Sequence, residues 1–337
     1  MARAAARSCI GAGLNVCSRG GRTRSQSKGV DLMRRAKPIF AVAAIAALGV
    51  SLATTEASAD WREKYKVLKL GSVTVETQSA TITRFKPLAE YIERKLGVKA
   101  EVFTASDYAG IVQALSAGHI HLGRMGGAAY AAGYIDSKAG IEPLVMNVEP
   151  NGGKGYFSVL IVRADSPYKS LEDLKGKTLG WADPNSTSGY LVPNAALRDA
   201  GIDPQKYFSR TVFSGGHEQN VFGVLKGTLD SAFTWTSPGH QSGQFRIMMD
   251  RGLLKLDDIR TVWQSPLIAN PLWAIPSNTP PDMRKDLLNL FLELAKDNMA
   301  IAEAAAQGKT RGFEAVSHET YKTFVTIAED QRKSRRR

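Results

Sequence analysis

Lys177-Thr-Leu-Gly-Trp-Ala-Asp-Pro-Asn-Ser-Thr-Ser-Gly-Tyr190 reads as three pieces in succession. Lys177–Ala182 is a short apolar run, a strand. Asp183–Gly189 is a polar turn, and Ser188–Ala200 carries a helix that Gly201 closes. A strand that feeds a helix through a polar turn is the repeating unit of an α/β fold. The start of that helix has unpaired backbone N–H groups and the positive end of the helix dipole. Ser186, Thr187 and Ser188 add three hydroxyl groups there. Such an end suits an anion. It also suits a plain N-cap, for which one hydroxyl is enough. The local sequence leaves both readings open.

The same alternation extends in both directions. Val67–Val73 reads as a strand, Phe85–Leu96 as an amphipathic helix closed by Gly97, Val98–Phe103 as a strand and Tyr108–Ala117 as a helix before Gly118. Tyr156–Arg163 starts the pattern again as a buried strand, and Ser170 with Asp173 suggests a capping box. Strands at Arg210–Phe213, Asp230–Trp235, Ile259–Trp263 and Leu272–Ile275 follow, with a helix at His217–Lys226 and a helical region from Pro280. The stretch between Gly123 and Gly155 reads as mostly helix with a Gly-rich turn at Asn151-Gly-Gly153. The expected fold is α/β, with mainly parallel sheets in two lobes. Residues 60–157 plus 262–337 form one lobe, 158–261 form the other, and the ligand cleft lies between them at a hinge of two crossings.

The ends of the chain point to export. Met33-Arg-Arg-Ala-Lys37, an apolar run from Ile39 to Ala53 and Ala57-Ser-Ala59 have the layout of a secretory signal peptide. Residues 1–59 are therefore expected to be removed, with Met33 as the true start. The rival reading is an uncleaved anchor. Residues 1–59 hold nine of the 44 Lys and Arg and two of the 32 Asp and Glu, so the remainder carries +5 rather than +12. Five of those positives sit in the tail Arg332, Lys333, Arg335, Arg336 and Arg337, which reads as a solvated, frayed end. A near-neutral body argues against a nucleic-acid partner. Cys9 and Cys17 both lie in the removed segment, which leaves no disulfide and no thiolate chemistry. No cofactor is implied.

Other motifs are weaker. Lys175-Gly-Lys177 lacks Walker spacing and precedes the strand, so it reads as a surface turn. His119-Ile-His121 would share one face of a strand, but no further ligands complete a metal site. His217 opens a helix after Ser214-Gly-Gly216. It could donate to an oxyanion, act as a base or serve the structure alone.

Taken together, Asp107-Tyr-Ala-Gly-Ile111, Gly155–Val162, Asp183–Gly189 with Leu191-Val-Pro193, Gly216-His-Glu218 and Trp263–Ile268 resemble the periplasmic phosphonate-binding proteins of ABC transporters. The resemblance runs from about Leu68 to Thr279. It implies a type II periplasmic-binding fold that closes on its ligand, no catalysis, a periplasmic location and a membrane permease as partner. It also implies that Ser186, Thr187, Ser188 and His217 hold the phosphorus oxygens, with Tyr108 and Tyr156 as cleft tyrosines.

Departures from that pattern bear on the ligand's other end. Aminoethylphosphonate binders of the family place carboxylates on the ammonium group, where this chain has Ser237 and, after Ile268, Asn270. An uncharged substituent is therefore expected: a phosphonate with a small neutral group, phosphite or phosphate. Arg124 also departs from the family pattern. It reads either as a guanidinium for the anion or as a surface or inter-lobe ion pair. The competing functions are an exported sensor module for the same ligands and a hydrolase using His217 as base.

Overall fold

The computed structural model describes residues 60–73 and 75–335. The expected signal peptide, the expected start at Met33 and the two cysteines lie outside the described residues. The described residues hold twelve strands: β1 Val67–Ser72, β2 Lys99–Phe103, β3 Leu122–Met125, β4 Ile141–Val148, β5 Gly155–Arg163, β6 Thr178–Trp181, β7 Arg210–Phe213, β8 Ser231–Thr236, β9 Ile259–Gln264, β10 Ile268–Ala269, β11 Leu272–Pro276 and β12 Gly312–Ala315. They make two sheets, ordered β12-β4-β11-β3-β1-β2 and β10-β5-β8-β6-β7, with β9 also paired to β5.

Each sheet is mixed, where the sequence suggested mainly parallel pairing. Strands β2, β1 and β3 run parallel, as do β7, β6 and β8. Strands β4, β11 and β12 in the first sheet and β5, β9 and β10 in the second pair antiparallel. Parallel pairing needs a long crossover. Helices Gln78–Leu96, Tyr108–Ser116 and His217–Leu225 supply three such crossovers. Strand β11 instead enters its sheet directly from the other sheet, without a helical crossover.

The amphipathic face of Gln78–Leu96 buries Phe85, Leu88, Ile92 and Leu96 against Leu68 and Leu70 of β1 and Phe291 of the helix Pro281–Asp297. Each such side chain contributes roughly 1.5–3 kcal/mol on full burial. In the second sheet Trp181 stacks on Phe233 at 5.1 Å, above Leu197 and Phe208. A further core joins Ile111, Leu115 and Tyr321 from the first sheet's side to Tyr156, Trp235 and Ile247 from the second. The two halves are thus packed together along their facing ends, and the described residues form one compact unit.

The chain passes from the first sheet to the second within residues 149–154 and returns at 270–271. Residues 262–269 therefore pair with the second sheet, not the first as the boundary at 262 implied. Pro266 interrupts the apolar pattern and makes it look finished there, but the chain re-pairs as β10. The stretch 123–155 contains β3 and β4 around the helix Gly127–Asp136, so it is not mainly helix. His119–His121 is a turn rather than a strand, and His121 Nδ1 accepts the Lys69 N–H at 2.9 Å. The Ser170 box is one-sided: Asp173 accepts from the N–H of Lys169 and Ser170 ahead of a single 3-10 turn. The tail is helical through Arg335, and Arg332 pairs with Asp136 at 2.6 Å.

Candidate functional site

The segment Asp183–Gly189 has a specific geometry. Ser186 caps the helix that follows, its Oγ accepting the Gly189 N–H at 3.0 Å. Residues Thr187–Leu191 form a π turn before the α-helix Val192–Asp199. Pro193 explains the widened turn: it has no N–H to offer the Gly189 carbonyl, which accepts from Ala182 N instead. Gly189 itself is required by close approach. A Cβ there would lie 2.4 Å from Ala182 Cβ and 2.9 Å from His217 Cε1. Ser158 Oγ donates to the Ser188 carbonyl at 2.6 Å and fixes the loop to β5.

The segment lines a small cavity between the two halves. Its walls are Val73, Val75, Tyr108, Arg124, Gly126, Tyr156, Ser186, Thr187, Ser188, His217, Trp235 and Pro271. Every parallel strand contributes at or beyond its C-terminal end: Val73 follows β1, Tyr108 β2, Gly126 β3, Ser186 β6 and His217 β7, while Trp235 closes β8. Ligands of open α/β sheets bind at that edge. The cavity is also where helices begin. Tyr108 and His217 are the first residues of their helices, Gly126 caps Gly127–Asp136, and Ser186 caps the turn that starts at Thr187. Four helix starts therefore direct their positive ends at one spot.

Contacts across the cavity are close. Thr187 Oγ1 accepts the Ala128 N–H at 2.9 Å, and a Cβ on Gly126 would fall 2.5 Å from that oxygen. The Tyr108 phenol lies beside Ser186, and the Tyr156 phenol beside Thr187 and Ser188. Burial raises both phenols, Tyr156 to about 12, so both stay protonated. Asp183 Oδ1 accepts the Asn185 N–H at 2.7 Å, and burial raises its carboxyl. Ser186 Oγ lies 3.0 Å from His217 Nε2. Burial pushes the His217 imidazole down to about 3, so it is neutral, and its Nδ1 makes no hydrogen bond to the protein.

Seven of the nine residues nominated from sequence line this cavity: Tyr108, Arg124, Tyr156, Ser186, Thr187, Ser188 and His217. Arg124 fits neither of its two readings fully. It is buried, and its guanidinium donates to the carbonyls of Ala305 and Ala306 and to Gln307 Oε1 rather than to a carboxylate. Burial, with Arg84 nearby, pushes it down to about 9, which leaves it charged at neutral pH.

Ser237 and Asn270 do not line the cavity. Both lie against Glu149, a carboxylate 2% exposed at the end of β4. Ser242 Oγ donates to Glu149 Oε1 at 2.9 Å, and Asn270 Nδ2 donates to the Asn147 carbonyl at 2.9 Å. Burial raises the Glu149 carboxyl above its usual range. The region behind Trp235 and Pro271 is thus not free of carboxylates, as the sequence implied. Glu149 follows a strand read as helix and sits in no motif, so nothing in the sequence marked it. Val73, Val75, Gly126, Trp235 and Pro271 also went unnominated; as apolar or glycine positions they carry no chemical signature.

Two α/β halves around a cavity rich in helix starts and hydroxyls define a solute-binding protein of the type II periplasmic-binding fold. Residues 70–321 match the family described as ABC transporter, phosphonate, periplasmic substrate-binding protein, and the chain belongs to it. Similar curated proteins are the phosphonates-binding periplasmic protein of Escherichia coli and the phosphate-import protein PhnD of Mycolicibacterium smegmatis. The first is 32% identical over 73% of this chain and 71% of that relative. The second is 30% identical over 72% and 76%. A solved binding component of an ABC phosphonate transporter from Pseudomonas aeruginosa is 27% identical, with a TM-score of 0.68 over 77% of this chain and 85% of that one. The family binds substrate for transport and is not enzymatic, so the hydrolase reading falls.

Proposed function

We propose that this chain captures a small phosphorus oxyanion whose fourth substituent is uncharged (hydrogen, hydroxyl or a short alkyl group) in the periplasm and delivers it to a membrane permease. One observation carries the choice of substituent. Among the described residues, those lining the cavity include no carboxylate, and the apolar part of the lining is Val73, Val75, Trp235 and Pro271. An ammonium group there would lose its water without gaining a counter-charge. The cavity volume of about 30 Å³ also favours a small ligand, being on the scale of two waters. The two similar curated proteins carry different ligands in their names, phosphonates and phosphate, so kinship alone does not choose between them.

In this reading Ser186, Thr187 and Ser188, the backbone N–H groups around them, Tyr108, Tyr156 and the neutral His217 donate to the anionic oxygens. Arg124 supplies the positive field from behind. Export through the predicted signal and closure of the two lobes about residues 149–154 and 270–271 belong to the same proposal. Among the described residues no helix is long and apolar enough to cross a membrane.

The test is calorimetry of the mature chain against phosphite, phosphate, methylphosphonate and aminoethylphosphonate. The aminated ligand is expected to bind at least about 100-fold more weakly than the best of the other three, a difference of about 2.7 kcal/mol. Tight aminoethylphosphonate binding that Glu149→Gln abolishes would overturn the uncharged-substituent reading. It would also make Glu149 the partner of the amine.

A further inference from the structure

The cavity residues Val75 and His217 are each followed by a glutamate, and the two glutamates approach one arginine at the mouth of the cleft. Glu218, second in the helix His217–Leu225, has its Oε2 2.6 Å from Arg251 NH1. Glu76 lies on the first-sheet side, with its Oε2 3.9 Å from the same Arg251 nitrogen. Glu76 is also held by Arg84, Nε to Oε1 at 2.7 Å and NH2 to Oε2 at 3.1 Å. Both carboxylates are buried, at 1% and 5% side-chain exposure, whereas Arg251 is 30% exposed. The charges alternate in sign across the cleft: Arg84, Glu76, Arg251, Glu218. They border a surface groove of about 560 Å³ that includes Glu76, Arg84, Arg251 and Ala304.

We propose that Arg251 is a positioning residue that latches the cleft shut. It joins Glu218, beside the His217 anion donor, to Glu76, beside the Val75 wall. The inference rests on the proposed opening and closing of the two lobes. Each half carries its own pair, Arg84 with Glu76 and Arg251 with Glu218. Separation therefore strands no buried carboxylate, and among these four charges only the Glu76–Arg251 contact is made or lost. A contact of this kind is modest in strength and open to the groove, so salt weakens it. It adds residence time to a bound ligand without touching it, which places its effect in the dissociation rate.

The experiment measures methylphosphonate association and dissociation by stopped flow for the wild-type chain, Glu76→Gln, Arg251→Gln and the double variant, at low and high salt. X-ray scattering of each protein with and without ligand accompanies it. Glu76→Gln leaves the Arg251–Glu218 pair intact, so it guards against a simple folding defect in Arg251→Gln. Both single variants are expected to dissociate about three- to tenfold faster with association little changed. The double variant should be no faster than the worse single variant, and the salt dependence of dissociation should be lost. Additive effects in the cycle, or wild-type dissociation in Glu76→Gln, would overturn the latch. Scattering profiles that are identical with and without ligand would remove the lobe motion on which it depends, a failure distinct from that of the latch itself.

Discussion

His217 is neutral because of burial alone; no neighbouring charge sets its state. Its folded pKa of about 3 lies below the ordinary value of about 6.5. The sign follows: above about 6.5 the group contributes no pH dependence, and as pH falls below that the unfolded chain gains a proton that the folded chain refuses. Thermal melts are expected to drop on acidification below about pH 6.5, and His217→Gln should flatten that slope. Ligand affinity between about pH 6.5 and 8 should follow the second ionisation of the ligand, with no step assignable to His217. A His217 ring-proton resonance titrating near its ordinary value would contradict this. At this scale the hydroxyls and His217 were legible because anion chemistry draws on a short list of residue types. Glu149 was not legible, since a lone carboxylate gains its meaning only when Ser237, Ser242 and Asn270 are folded around it.

The helix starts account for the site better than any single side chain does. Tyr108, Gly126, Ser186 and His217 stand at the entrances of four elements whose dipoles add where oxygens would sit. Gly126 is what allows two of these entrances to meet. Gly126→Ala would drive a methyl group to 2.5 Å from Thr187 Oγ1, forcing Thr187 or the helix Gly127–Asp136 to give way. Titration of this variant with methylphosphonate is expected to lose at least about tenfold in affinity, while the melting temperature changes little, because the clash lies between the halves rather than within one. Unchanged affinity would mean that the approach at Thr187 is not used in the bound form. Most elements were readable in advance because glycine closes so many helices: Gly97, Gly118 and Gly201 all take positive φ. The misread elements are those without such punctuation. In strand β4, Glu142, Pro143 and Asn147 break any clean alternation, and the apolar run left between them, Leu144–Met146, is too short for periodicity to separate from a buried helix.

At the scale of the molecule, the two sheets share an architecture, each with a parallel set carrying binding residues and an antiparallel set that receives the chain crossings. The two-sheet plan was legible because the strand–helix rhythm restarts near Tyr156. The antiparallel half was not, since strand direction depends on which neighbour a strand finds and not on its own residues. The continuous packing of Tyr108 and Ile111 with Tyr156 and Trp235 describes closed halves, and the short crossings at 149–154 and 270–271 are where a hinge would act. A ligand favours closure only by binding the closed form better. Methylphosphonate titrated calorimetrically into the mature wild-type chain and into Ser186→Ala/Thr187→Ala measures the grip directly. Loss of two hydrogen bonds to an anion, each worth about 1.5–3 kcal/mol, predicts a fall in affinity of at least about 100-fold with the fold retained. Equal affinity in the two proteins would contradict the placement of the oxyanion at Asp183–Gly189.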